Sequence, residues 1–125
     1  MAHAVSLTTV QAVIARALSI APADRSRIGK AAELIAFGQV EQTDATTFAV
    51  TSLTDATVTY TVTPNACECL GRVHYPTRRC SHEWAARILL SVEKAQQAQA
   101  QQDTRQRASA DSVAVAYASA HRRAA

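Results

Sequence analysis

The chain has 125 residues, enough for a single domain with a tail, and its low aromatic content of 5% allows only a modest core. The formal net charge of +3 is uneven, since residues 1–66 carry four Lys/Arg against five Asp/Glu and residues 67–125 carry nine against five. Polar residues interrupt every apolar run before it could span a bilayer, so we expect neither a membrane helix nor a signal peptide.

Two amphipathic helices are predicted at the start of the chain. Over residues 6–20 apolar side chains recur at helical spacing, with Ser6 as the N-cap. A second helix is expected over about 24–37, capped by Asp24 and ended by a glycine. Both apolar stripes indicate core packing, so we expect residues 5–38 to form a helical lead-in that packs on the rest of the domain.

The hydrophobic pattern then changes from a helical to an alternating period. Phe48 and Val50 alternate with alanine and threonine, and Val58, Tyr60 and Val62 alternate with threonine. This alternation predicts a half-buried antiparallel hairpin with a threonine-rich outer face.

All three cysteines of the chain and one of its four histidines lie in one segment, the metal loop, residues 67–82. It reads Cys67-Glu-Cys69, ten residues, then Cys80-Ser-His82. Residues at i and i+2 of an extended backbone project to the same side, so each pair can face one ion. A glycine and a proline between the pairs allow the chain to turn. Three thiolates and one imidazole suit tetrahedral Zn²⁺ and leave no open position for a catalytic water.

Other interpretations of the same residues are weaker. A disulfide between Cys67 and Cys69 would be strained, and an odd number of cysteines fits a disulfide framework poorly. His74 could replace His82 as a ligand, but it matches the spacing of neither pair. With only three glycines and no phosphate-cradling loop, the chain is not expected to be an enzyme. Reduced cysteines that serve zinc fit the cytoplasm.

A third helix is predicted from about Ser81. Glu83 and Arg87 are expected on one side of it. Four apolar residues share the other face and should pack on the hairpin: Trp84, Ile88, Leu89 and Val92. Beyond Lys94 the chain is rich in Gln and Ala, so residues 95–125 should form either an extension of the helix or a disordered tail.

The metal loop resembles the SWIM zinc finger, whose pattern is CxC, a variable stretch, then CxH with an alanine three residues after the histidine. The second half reads Cys80-Ser-His82-Glu-Trp-Ala85, and the similarity covers about residues 46–92. The segment 30–38 is similar, more weakly, to the lead-in of small stand-alone bacterial and phage SWIM proteins. The resemblance implies a ββα zinc module that binds DNA or protein and has no catalytic activity. It implies four zinc ligands: Cys67, Cys69, Cys80 and His82.

Basic and aromatic residues fall on or beside the metal loop, and they are the candidate nucleic-acid contacts: Arg72, His74, Tyr75, Arg78, Arg79 and Arg87. Arginine forks contact phosphates and guanine edges, and tyrosine can stack on a base. We therefore expect a zinc module that binds nucleic acid, with DNA favoured over RNA.

The alternative is a protein–protein adaptor with a purely structural zinc, whose partner docks on the helical N-terminus or on the C-terminal tail. The predicted fold is the same in both cases. It is an α+β domain over residues 1–94, in which N-terminal helices pack on the zinc module, followed by the tail over 95–125.

Overall fold

The computed structural model of the protein describes residues 6–124, with side chains over 6–119. It is an α+β structure of helices and one small antiparallel sheet, and it divides into two units, Met1–Glu93 and Lys94–Ala125. The elements in chain order are α1 (Leu7–Ile20), a 3-10 turn (Pro22–Asp24), α2 (Arg25–Ala36), β1 (Val40–Gln42), β2 (Phe48–Thr51), β3 (Thr59–Val62), α3 (Leu70–His74) and α4 (Ser81–Ala124).

The ends of α1 and α2 largely follow the sequence signals. Ser6 caps α1, because its side chain accepts a hydrogen bond from the backbone N–H of Thr9 at 3.4 Å. Gly38 follows α2 with a φ of +70°, and its N–H and that of Gln39 donate to carbonyls of the last helical turn at 3.1 and 2.9 Å. A left-handed glycine closing a helix with these two bonds satisfies carbonyls that would otherwise lack a partner.

The predicted capping role of Asp24 is wrong. Its side chain makes no cap hydrogen bond to α2. The carboxylate instead forms an ion pair with Arg27 and accepts a hydrogen bond from Trp84 Nε1 at 3.2 Å. Partners on two helices outcompete the local N–H groups, so Asp24 ties the start of α2 to α4.

The predicted hairpin is confirmed, and the sheet contains one strand more. β2 and β3 pair antiparallel with Phe48 opposite Val62 and Val50 opposite Tyr60, which places these four side chains on one face. Phe48, Val50 and Val62 are buried. β1 joins the other edge of β2, giving the order β1-β2-β3. Its sequence Val40-Glu-Gln has a single apolar residue, so the alternation rule gives no signal for it.

Two groups of buried residues form the core of the first unit. The helical cluster joins α1, α2 and α4: Val10, Ala17, Ile28, Ala31, Trp84, Ala85, Ile88 and Val92. The sheet cluster joins the sheet, the metal loop and the facing sides of α2 and α4: Leu34, Phe48, Val50, Val62, Cys67, Cys69, Cys80 and Ala86.

The first turns of α4 are buried on two sides, which corrects the single apolar face predicted for them. Trp84, Ile88 and Val92 belong to the helical cluster, whereas Leu89 packs on the sheet cluster. Glu83, expected on an exposed side, is completely buried. A helix between two layers needs apolar residues around most of its circumference, and the run from Trp84 to Leu90 supplies them with one arginine inside it.

The second unit, Lys94–Ala125, is described as the continuation of α4, so of the two predicted alternatives the structure shows the helix. Nearly all its described side chains are exposed. Its stability therefore comes from the helix propensity of Ala and Gln and from contacts one turn apart, such as Gln99 Nε2 donating to Asp103 Oδ1 at 3.0 Å. None of the described helices has the length and hydropathy needed to cross a membrane.

Candidate metal centre

The first pair of cysteines follows directly on the sheet. After β3 the chain makes a tight turn in which Thr63 and Ala66 exchange backbone hydrogen bonds at 3.0 and 3.4 Å. Cys67 comes next, and Cys69 begins α3, because its carbonyl accepts from the N–H groups of Arg72 and Val73. Both side chains are buried against the sheet cluster. This five-residue helix inside the metal loop has no periodic signal in the sequence and was not predicted.

The second pair lies where α4 begins, close to the predicted start. The carbonyl of Cys80 accepts from the N–H of Trp84 at 3.1 Å. Its Sγ atom accepts from the N–H of Glu83 at 3.4 Å. Cys80 therefore caps the helix with sulfur, and the positive end of the helix dipole favours a thiolate there.

The four predicted ligands lie together and can hold a metal ion. Their ligand atoms all lie within 4.8 Å of one another. His82 Nδ1 is 3.7 Å from Cys67 Sγ and 3.8 Å from Cys80 Sγ. A tetrahedral zinc with Zn–S of about 2.3 Å and Zn–N of about 2.0 Å would place sulfur and nitrogen roughly 3.6 Å apart. All three cysteines are free and buried, so the donor set fits such an ion without rearrangement.

The thiols bind protons tightly when no cation is present. Contact with Cys67 and, next, burial raise the pKa of Cys80 to about 12. Burial is also the main cause that raises the pKa of Cys69, and the neighbouring Cys80 adds to it. Thiolates brought this close repel one another, and a divalent cation at their centre removes that cost.

The ring of His82 is held from the sheet side. The ring of Tyr60 on β3 lies 4.9 Å from it, centroid to centroid, at an interplanar angle of 39°. His74, the alternative ligand, is exposed at the end of α3 and does not belong to the cluster. The spacing rule thus selected the histidine that the structure places with the cysteines.

A buried ion pair lies directly behind the metal ligands. Arg72 Nε is 3.0 Å from Glu83 Oε1, and that oxygen is 3.7 Å from Cys80 Sγ. The rest of the Arg72 guanidinium donates to the backbone carbonyls of Arg78 at 2.9 Å and Asn65 at 3.5 Å. Arg72, predicted as a nucleic-acid contact, therefore holds three parts of the loop together. The sequence signal for Glu83 would have been a lone acid beside a metal ligand in an apolar run.

The remaining predicted contact residues lie near the surface. Tyr75 is 59% exposed, and the Arg78 guanidinium carbon lies 5.5 Å from its ring centroid. The Arg79 guanidinium carbon lies 5.9 Å from the Trp84 ring, and its Nε donates to the Pro64 carbonyl at 3.5 Å.

Three of the four arginines have no acidic partner. Within residues 6–119, no carboxylate lies within ion-pair distance of Arg78, Arg79 or Arg87. Burial and then the nearby Arg79 lower the pKa of Arg87, which shows that Arg79 and Arg87 are close enough to repel. The arrangement therefore concentrates unpaired positive charge beside the metal loop.

Comparisons with known proteins add nothing to this geometry. No family model matches the chain, and no curated protein or solved structure is significantly similar to it. The functional argument consequently rests on the residues themselves.

Proposed function

We propose that the protein is a zinc-binding module of the SWIM type that binds nucleic acid, DNA in the first place, through arginines beside the metal loop. The observation that carries the nucleic-acid part is the group of unpaired arginines Arg78, Arg79 and Arg87. The resemblance of the loop to the SWIM pattern supports the same assignment.

Zinc is the metal that the donor set favours. Three thiolates and an imidazole are borderline-soft ligands, unlike the oxygen ligands that Ca²⁺ and Mg²⁺ prefer. The four ligand atoms already complete a tetrahedron, so no position remains for water or substrate, and the role of the metal is structural. The bound site carries a formal charge of about −1, so anion binding has to come from the local placement of arginines rather than from net charge.

A phosphate backbone is the partner that best satisfies this surface. Arg79 and Arg87 repel each other in the free protein, and a phosphate between or beside them removes that repulsion. Tyr75 offers an exposed ring on which an unpaired base can stack, and Arg78 lies against the same ring. Cations with no internal partner beside an exposed aromatic ring are typical of surfaces that bind nucleic acid.

The test is a titration of the zinc-loaded protein with duplex DNA, single-stranded DNA and RNA of one sequence at two salt concentrations. Affinity should fall steeply with salt, and replacing both Arg78 and Arg79 by Gln should reduce the slope of log affinity against log salt by roughly two. The matched control is Arg16→Gln, the same change at an exposed position on α1, which should leave the slope unchanged. No binding to any of the three ligands at low salt would overturn the proposal.

The adaptor function has one observation in its favour. The helical second unit exposes Val113, Val115 and Tyr117, each about two-thirds accessible. A partner protein could cover these side chains while the zinc only stabilises the fold. This function would replace the first if nucleic-acid binding is absent and if a purified partner loses affinity when residues 95–125 are removed but not in the Arg78→Gln variant.

A further inference from the structure

A mostly polar cavity of about 280 Å³ lies beside the metal loop. One wall is the loop segment Pro76-Thr77-Arg78-Arg79, which approaches the start of α4. The opposite walls come from Asn65, Arg72 and Glu83, with Asp24 of the 3-10 turn at one side. At roughly 30 Å³ for each water, the space corresponds to about nine water molecules, which is ample for one tetrahedral oxyanion and its bridging waters.

The two acids of the cavity are already neutralised by partners. Glu83 is completely buried and pairs with Arg72 at 3.0 Å. Asp24 pairs with Arg27 and accepts from Trp84 Nε1 at 3.2 Å. Neither carboxylate is therefore a free negative charge that would reject an anion.

The two arginines of the loop wall remain uncompensated. Arg79 uses only its Nε within the protein, for the Pro64 carbonyl, so its terminal nitrogens keep four N–H donors. Its guanidinium is oriented by the Trp84 ring, and that of Arg78 by the Tyr75 ring. In addition, Arg72 holds the Arg78 carbonyl at 2.9 Å, which fixes the backbone of this wall.

We propose that this cavity is a phosphate-binding pocket, in which Arg78 and Arg79 bind one phosphate group of the nucleic acid and Arg72 positions the wall that carries them. The inference rests on the proposed function and sharpens it. A pocket accepts one phosphate at a defined place, whereas an exposed basic face contacts many phosphates equally. The same chemistry has two sources, an internal phosphodiester or a phosphate monoester at a strand end.

Inorganic phosphate is the first probe, measured by calorimetry on the zinc-loaded protein. Binding should saturate at one site, and Arg79→Gln should weaken it about tenfold, because a charge-assisted pair is lost. Arg87→Gln is the discriminating control, since Arg87 lies near Arg79 but does not line the cavity. It should change phosphate affinity no more than about twofold, and Arg16→Gln should not change it. Zinc content and circular dichroism verify that each variant is folded.

Single-stranded oligonucleotides with a 5′-phosphate, a 3′-phosphate or neither distinguish the two sources. A preference for one phosphorylated end that disappears in Arg79→Gln assigns the pocket to a terminal monoester. Equal affinity for all three, lowered by Arg79→Gln and by competing phosphate, assigns it to an internal phosphodiester.

Three results would overturn the inference. If oligonucleotides bind but inorganic phosphate neither saturates nor competes, the pocket is wrong while the proposed function stands. If Arg87→Gln weakens phosphate binding as much as Arg79→Gln does, a diffuse field replaces the pocket. If phosphate binds but no oligonucleotide does at low salt, the proposed function fails and the inference fails with it.

Discussion

The helical cluster and the sheet cluster share α4 but are held together by different forces. The helical cluster consists of apolar side chains alone, with Ile28 and Ala31 completely buried. In the sheet cluster three of the eight buried members are cysteines, and the strands are only three or four residues long. Such short strands bury too little to be stable by themselves. The comparison indicates that burial stabilises one half of the first unit and that ligand bonds stabilise the other.

Removing the metal should break this comparison most clearly. Structural zinc contributes about 10–16 kcal/mol, which is comparable with or larger than the usual stability of a domain, about 5–15 kcal/mol. We expect Cys69→Ser, or a strong chelator, to unfold the sheet cluster, with loss of cooperative melting by circular dichroism. Glu68→Gln, an exposed change between two ligands, is the matched control and should melt like the wild type. An unchanged melt in protein shown to be free of metal would contradict the prediction.

Acid should act on the sheet cluster through the same ligands. In the metal-free protein contact with Cys67 and burial raise the pKa of Cys80 to about 12, so at neutral pH zinc must displace its proton. Three thiols release up to three protons, and apparent zinc affinity should fall by up to about a thousandfold for each pH unit lost. The direction is loss of metal, and of the stability it supplies, as pH falls. Competition with a chromophoric chelator at pH 6, 7 and 8 measures it, and a pH-independent affinity would refute it.

A cavity in the helical cluster should destabilise the protein without touching the metal. Ile28 is completely buried there, so Ile28→Ala should cost about 2–5 kcal/mol in the free energy of unfolding. Ile20→Ala is the matched control, because Ile20 on α1 is 70% exposed and its loss should cost less than about 0.5 kcal/mol. Denaturant unfolding with a zinc assay measures both. Loss of zinc from folded Ile28→Ala protein would show that the clusters are coupled more tightly than we expect.

The ion pair behind the ligands should give the smallest of these effects. Arg72→Gln leaves the Glu83 carboxylate buried without its cation, which we expect to cost about 1–3 kcal/mol, since Arg72 itself is partly exposed. Adding Glu83→Gln removes the uncompensated charge and should restore part of the loss. A double-mutant cycle in urea measures the coupling, and strictly additive effects would show that the pair contributes nothing.

Local patterns predicted several elements well. The helical periods of α1 and α2, the cap at Ser6 and the alternation of β2 and β3 are properties of neighbouring residues, and the structure follows them. The grouping of the metal ligands was also accessible, because pairs at i and i+2 leave few ways to arrange four donors. The sequence was silent on β1 and α3, which are too short to show a period.

What the sequence determined by itself was the set of groups that could meet: two apolar stripes, one hairpin and four metal-binding side chains. Only the tertiary structure decided how charge and burial are distributed among them. It divided α4 between two clusters, buried Glu83 and turned Arg72 inward to neutralise it, while it left Arg78 and Arg79 unpaired beside a cavity. The physical reason is that the free energy of a buried charge depends on partners far away along the chain, which no local pattern contains.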